Sequence, residues 1–413
     1  MSTSTTNKAK WTFLVYMAGD NNLSTAGDKD LGEMRSVGST PEVNIVVQFD
    51  NAGERGTNRY RVLSGGQPDL IETMGETDSG NPKVLEGFIE WAAGKYPAER
   101  YGLVLWSHGS AWEPAELDKI ARSVNAPNYN SKEAAERSAS PMGKVVFRSS
   151  LERIFGLPSA GERAICVDDG SGHSLDTLEL EKVLVKAKEI LDQEFDLLGM
   201  DACLMSNLEV AYQVRPYVKF LVASEESEPN DGWPYERVLR HLVNDPDLPT
   251  AQAVEHIVQD YIRSYIDRGY TDAVTQTALD LGRMDELTEP LDVLAEALMI
   301  ENREQMRFNL WNAMFRATRF WGDTLLDITH FCDELEKQAV SPATRQASQQ
   351  VRAALAQGPG RFVIAEGHNG KKVERCGGVT IYLPALKGVS RFYPELAFAM
   401  KHRWIKVLEA YQL

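Results

Sequence analysis

An α/β fold built on a mostly parallel central sheet, with helices on both faces, is what this sequence predicts. Three observations carry the prediction. Short apolar runs alternate with helical patterns through the first half of the chain, which is how strand–helix–strand units read. The apolar runs are continuous rather than alternating, as expected of strands buried on both faces. Finally, 413 residues with 43% hydrophobic and 25% charged side chains suit a folded chain of one large domain with additions, or of two domains.

In chain order, the strand candidates are residues 11–18, 43–49, 101–107, 164–167, 195–200 and 219–223. Helical patterns fall between several of them, notably at 84–95 and 178–192. The stretch 113–163 breaks the alternation. It is polar, rich in Pro, Gly and Ser, and carries Lys119, Arg122, Lys132, Arg137, Lys144 and Arg148. It reads as a long surface insertion or as an exposed, cleavable linker. From Thr250 to about Gly358 apolar residues recur at spacings of three and four, as in Val254, Ile257, Tyr261 and Tyr265. One strand interrupts this region at 275–281. Strand-like runs return at 361–365 and 379–383, and a final helix spans 394–411. The expected organisation is a catalytic domain over 1–248, with the insertion inside it, and a helical extension over 249–413 whose returning strands pack on that domain.

The net charge of −16 argues against nucleic acid as a partner and favours cationic ones. The N-terminal apolar run is short and ends at Asp20, Asn21 and Asn22, and no later stretch reaches membrane-spanning length. The expectation is a cytoplasmic protein with no membrane partner. The four cysteines, Cys166, Cys203, Cys332 and Cys376, are widely spaced and form no CxxC pair, which excludes a zinc ribbon and a dense disulfide framework.

In open parallel sheets the reacting groups stand on loops at the carboxyl ends of strands. Two strand ends stand out there. Leu103-Val104-Leu105-Trp106-Ser107 delivers His108 and Gly109; Leu197-Leu198-Gly199-Met200 delivers Asp201, Ala202 and Cys203. If the two strands are neighbours, imidazole and thiol emerge on one edge, where the histidine can favour the thiolate and protonate a leaving amine. Gly109, lacking Cβ, lets its N–H approach a substrate carbonyl, and with the Cys203 N–H it could form an oxyanion hole. The other histidines, at 173, 241, 256, 330, 368 and 402, lack metal-ligand spacing and read as structural. Cys166, Cys332 and Cys376 read as core thiols, and the Gly-rich piece 169–172 lacks the Lys-Ser/Thr ending of a phosphate loop.

Apolar strand–His-Gly followed by apolar strand–Asp-Ala-Cys resembles the clan CD cysteine peptidases, and the particular words resemble the clostripain family, peptidase family C11. These words are the stretch from Trp11 to Leu23, Trp106-Ser107-His108-Gly109-Ser110-Ala111-Trp112, the stretch from Asp201 to Tyr212, Ala223-Ser224-Glu225-Glu226, Gly232-Trp233-Pro234-Tyr235, and Gly378-Val379-Thr380-Ile381-Tyr382-Leu383-Pro384. Ser107 and Ala111 depart from the Asp and Gly more usual in the family.

The resemblance implies a caspase-like three-layer sandwich and a cysteine endopeptidase with Cys203 as nucleophile, His108 as its acid/base partner, and oxyanion donors at Gly109 and Cys203. Asp201 would face the primary specificity pocket and select Arg, or Lys, at the cleaved bond of a protein or peptide substrate. Asp231 reads equally as a second pocket acid and as a turn residue before Gly232. Ser224 and Glu225 would line the cleft. Relatives of this kind are made as zymogens and cut at a basic residue between His and Cys, for which Lys119 and Arg122 are the candidates, and a regulatory protein partner would suit an intracellular form. No cofactor is needed for the chemistry. Calcium enhances some relatives, although no EF-hand loop is present. Two rival readings stay open: a silent scaffold binding basic peptides in the same acidic cleft, and a transpeptidase or ligase using the same thiol.

Overall fold

The structure is a computed structural model. It describes residues 8–65, 69–109, 111–112, 165–168, 173–320, 324–384, 388–390 and 393–412. The insertion expected at 113–163, with Lys119 and Arg122, lies outside the described residues.

The chain alternates strand and helix as its pattern predicts. β1 (Ala9–Gly19) leads to a helix at Ser24–Val37, then β2 (Val43–Asn51), β3 (Gly56–Arg61) and β4 (Leu70–Gly75). A helix at Pro82–Lys95 precedes β5 (Ala98–Trp106). It begins where Asn81 accepts a hydrogen bond from the Lys83 N–H and Pro82 fills the first turn. β6 (Ile165–Asp168) and β7 (His173–Leu175) come before a helix at Thr177–Leu191, which opens on a capping box between Asp176 and Glu179. β8 (Phe195–Asp201), a short helix at Leu208–Val214 and β9 (Val218–Ala223) complete this half. The second half is mainly helical, with β10 (Val274–Asp280), β11 (Arg319–Phe320), β12 (Leu325–Asp327), β13 (Val363–Asn369) and β14 (Thr380–Tyr382).

One nine-stranded sheet has the order β13-β10-β9-β8-β5-β1-β2-β3-β4. Its five central strands, β9 to β2, are parallel. The outer pairs on both sides run antiparallel. The side chains of β1 divide the interior. Leu14 and Tyr16 enter a core with Phe88, Leu184 and the C-terminal helices; Trp11, Phe13 and Val15 enter another with Met34, Leu239 and Val258. That alternation across a strand buried on both faces makes the three layers.

Several expectations need correction. β3 and β4 have no counterpart among the predicted strands. β4 is the exposed edge, and β3, part-buried between β2 and β4, carries Asn58, Arg59 and Arg61, so neither gives an apolar run. The run at 164–167 does not join the central sheet; as β6 it pairs with β7 in a hairpin. Of the two late strands, β13 extends the large sheet, whereas β14 joins β11 and β12 in a separate one. The final helix breaks into Ala397–Lys401 and Trp404–Gln412. The boundary drawn at 248/249 does not interrupt the sheet, because β10 and β13 continue it beyond β9. Among the described residues, no helix is long and apolar enough to cross a membrane.

Candidate functional site

The strands that deliver His108 and Cys203 are neighbours. β5 and β8 run parallel with Trp106 opposite Asp201, so both chains leave the sheet at the same edge and the same level. Beyond Asp201 the backbone turns sharply. Leu204 takes a left-handed conformation (φ 67°), costly for a residue with a branched side chain. The turn is held from behind. The Leu204 N–H donates to the Glu226 carbonyl at 3.2 Å, and the Ser206 N–H donates to that of Ser224 at 2.8 Å. Asn207 then caps the next helix, accepting from the Val210 N–H at 3.2 Å. Cys203 thus sits on a constrained strand-to-helix elbow.

Three backbone N–H groups act on its sulfur. The Glu228 N–H lies 3.3 Å from Sγ, and those of Cys203 itself and Gly109 also favour its thiolate form. Burial outweighs them, pushing the thiol up to about 11. Gly109 owes its identity to this approach: a Cβ there would lie 2.5 Å from the Cys203 carbonyl oxygen. His108 is buried, and burial lowers its imidazole to about 4. Its Nε2 is 2.9 Å from Asn22 Oδ1. Asn22 follows β1, and β1 pairs in parallel with β5, so the sheet brings it to the same edge.

His108, Asp201 and Cys203 line one pocket with Leu23, Trp106 and Glu228. Its volume is about 30 Å³, space for roughly two water molecules. Asp201 forms its acidic floor. It accepts from the Tyr235 hydroxyl at 2.9 Å and the Trp233 N–H at 3.3 Å, and it shares a side-chain hydrogen bond with Glu228. Burial raises Asp201 above the usual carboxylate range. Gly232 packs on this floor, where a Cβ would stand 3.1 Å from Asp201 Oδ1.

The remaining candidates lie elsewhere. Asp231 is half exposed and is not among the pocket-lining residues. It pairs with Lys29 and Arg268, each at 2.6 Å. Ser224 and Glu225 do not line the pocket either. Ser224 Oγ meets Thr275 Oγ1 at 2.9 Å, and Glu225 accepts from the Gly378 N–H at 3.1 Å. Both are fully buried; Ser224 contacts β10, and Glu225 the C-terminal segment. The sequence alone singles out neither Asn22 nor Glu228. The topology of β1 beside β5 is a signal for Asn22. Glu228 stands in an acidic run with Glu225 and Glu226, and nothing in the sequence separates the three.

Among the described residues, Glu225, Asp327 and Cys376 gather metal-type ligand atoms within 4.8 Å of one another. They do not fit calcium, which takes six or more oxygen ligands. One ligand is a thiol, and both Asp327 oxygens already accept backbone N–H groups, from His330 at 2.6 Å and Gly377 at 2.7 Å.

Comparison with known proteins shows the family and the fold. A model of the clostripain family of C11 peptidases matches residues 15–135 and 157–411. Clostripain from Hathewaya histolytica is 27% identical over 274 residues, a match covering 58% of this chain and 44% of that relative. The chain therefore matches less than half the length of this curated relative. An inactive zymogen C11 protease from Parabacteroides distasonis has a similar fold, with a TM-score of 0.67 at 18% identity over 95% of this chain and 98% of that one. So has a secreted C11 cysteine protease from Bacteroides thetaiotaomicron in complex with an irreversible peptide inhibitor, with a TM-score of 0.62 at 20% identity over 97% and 99%.

Proposed function

The chain belongs to the clostripain family of cysteine peptidases, and from that premise we propose that it is an endopeptidase cleaving after arginine, and after lysine, through a Cys203–His108 dyad. The observation that carries this reading is the parallel pairing of β5 and β8, with Trp106 opposite Asp201, beneath one pocket lined by imidazole, thiol and acid.

In the proposed reaction His108 takes the proton of Cys203 as Sγ attacks the scissile carbonyl. The N–H groups of Gly109 and Cys203 stabilise the oxyanion. The imidazolium then protonates the leaving amine, and water hydrolyses the acyl-enzyme. With the thiol pushed up to about 11 and the imidazole lowered to about 4, the resting pair is neutral, so the proton moves when substrate arrives. Asp201 receives the cationic side chain, and a net charge of −16 draws such substrates in.

Control by cutting between His108 and Cys203, with Lys119 and Arg122 as the proposed sites, leaves room for a regulatory partner. The relative described as an inactive zymogen is consistent with that control. We keep the cytoplasmic location as a proposal, although one similar structure is of a secreted protease; recovery mainly from the culture medium would refute it.

The test is turnover of matched fluorogenic peptides ending in Arg, Lys, Asp or Leu, by intact and deliberately nicked protein, with and without calcium. Arg-selective turnover, lost in Cys203→Ala, is expected. Binding of basic peptides without turnover by either form would return the protein to a silent scaffold. Aminolysis outrunning hydrolysis with an added amine would make it a ligase.

A further inference from the structure

Glu228 touches both halves of the site at once. Its backbone N–H lies 3.3 Å from the Cys203 sulfur, and its carbonyl oxygen 3.9 Å from it. The residue lines the pocket, and its carboxyl hydrogen-bonds to Asp201 and accepts from Gln276 Nε2 at 3.3 Å. Two carboxyls bonded to one another in a buried site share a proton, because two like charges at that distance cannot both ionise. A lysine ammonium needs one counter-charge, whereas a guanidinium presents a fork of donors to more than one oxygen.

We propose that Glu228 is a second specificity-determining residue and the link between the pocket and the nucleophile: with Asp201 it forms a two-acid floor that a guanidinium completes. Because the same residue supplies an N–H to Sγ, moving its carboxyl to seat the guanidinium shifts the backbone that holds the thiol. This rests on the reading of Cys203 as nucleophile and of the pocket as a cation site.

The floor is enclosed by groups that hold the shared proton in place. Asp30 faces Asp201 from the helix Ser24–Val37. Tyr235 faces it from the helix Tyr235–Asn244, and Tyr261 and Tyr265 from the helix Thr250–Asp267. Cys203 and His108 lie on the pocket side. None of these is a cation at neutral pH. The arriving guanidinium is therefore the positive charge that lets both carboxyls ionise, and binding expels the shared proton. KM for Arg peptides should accordingly fall as pH rises through the titration of the pair.

The experiment uses the full chain and the Glu228→Gln variant, which keeps the backbone N–H and nearly the same shape. Binding of agmatine, a guanidinium cation, is measured by calorimetry in two buffers of different ionisation heat, in a Cys203→Ala background that silences the chemistry. About one proton released per agmatine is expected with Glu228 in place, and almost none in the Glu228→Gln variant. In the active enzyme, Glu228→Gln should lower the Arg-to-Lys ratio of kcat/KM by about 10-fold, chiefly through KM. Proton release unchanged by the substitution, or an unchanged Arg-to-Lys ratio, overturns the role of Glu228. Thermal melting of each variant shows whether it folds. Should Glu228→Gln fail to fold, agmatine binding to Cys203→Ala without proton release would itself overturn the proposal. A wild type that turns over Leu or Asp peptides but not Arg peptides would sink the cation-pocket reading beneath it, which is a different result from Arg turnover with an unaltered ratio.

Discussion

Among the buried thiols of the described residues, the proposed nucleophile Cys203 and Cys376 both have carboxylates beside them, and the two differ in what surrounds the sulfur. Cys203 is 3% exposed and Cys376 8% exposed, so accessibility does not favour the proposed nucleophile. Burial pushes both thiols up. The difference is in what opposes burial. Around Cys203 the Glu228 N–H lies 3.3 Å from the sulfur, the N–H groups of Cys203 and Gly109 also favour the thiolate, and a histidine lines the same pocket. Around Cys376 the charged neighbours are Glu225, Asp327 and Glu366, which drive the thiol further from ionisation. Donors aimed at its negative form favour a nucleophile; Cys376 has one, the Thr318 side chain, against three acids.

The largest test of that contrast is replacement of each thiol. Cys203→Ala should abolish turnover altogether, while Cys376→Ala should leave kcat/KM within about 2-fold and cost stability of about 1–3 kcal/mol for the cavity. Peptide assays and thermal melts separate the two effects, and loss of turnover in Cys376→Ala with an unchanged melt would break the comparison. His108→Ala comes next, with kcat lowered by about 10²- to 10⁴-fold. An imidazole outside the reaction would leave kcat where it was.

Asp201→Asn tests the pocket. It should reduce kcat/KM for Arg peptides by about 10- to 100-fold, with a much smaller change for any slow Leu turnover. An equal loss for both would make Asp201 a structural carboxylate of the elbow. Asn22→Ala should have a smaller effect, about 10-fold on kcat with KM held. With its acceptor 2.9 Å from His108 Nε2, Asn22 is expected to act by orienting the ring. Asn22→Asp, which keeps an acceptor, should recover part of the rate. A fall in KM and kcat together, without that recovery, would point to a packing defect.

What can be read in the sequence follows the physics of the sheet. Central strands are buried on both faces, so β1, β2, β5, β8 and β9 appear as unbroken apolar runs, and their carboxyl ends locate His108, Gly109 and Cys203. The edge strand β4 is exposed and its neighbour β3 is polar, so both pass as loops. Residues whose roles depend on distant contacts are misread for the same reason. Glu225 looks like a cleft residue until the Gly378 N–H, far along the chain, is seen to donate to it. Asp231 looks like a pocket acid until Lys29 and Arg268 are found against it. The asymmetry between Asp231 and Glu228, three residues apart, depends on which side of one loop faces inward.

The smallest expected effect concerns stability, and it sharpens the comparison from the side of Cys376. The segment that carries this cysteine also supplies β14, whose Tyr382 N–H donates to Glu209 at 3.1 Å, with the Tyr393 hydroxyl at 3.0 Å from the same oxygen. Burial pushes Glu209 up to about 7. A carboxyl raised above its unfolded value binds its proton more tightly in the folded state. Its contribution is therefore fully present below pH 4.5, the unfolded value, and is lost as pH rises through about 7. The shift corresponds to an upper limit of about 3 kcal/mol. Asp201, Glu228, Glu225 and Asp327 are raised in the same direction, so the whole chain should melt lower at pH 8 than at pH 5. Glu209→Gln should narrow that difference by a few degrees and leave the Arg-to-Lys ratio untouched. If the narrowing is accompanied by a change in selectivity, the anchor at β14 and the floor at Asp201 are one coupled unit, and the division between a reacting front and a structural back does not hold.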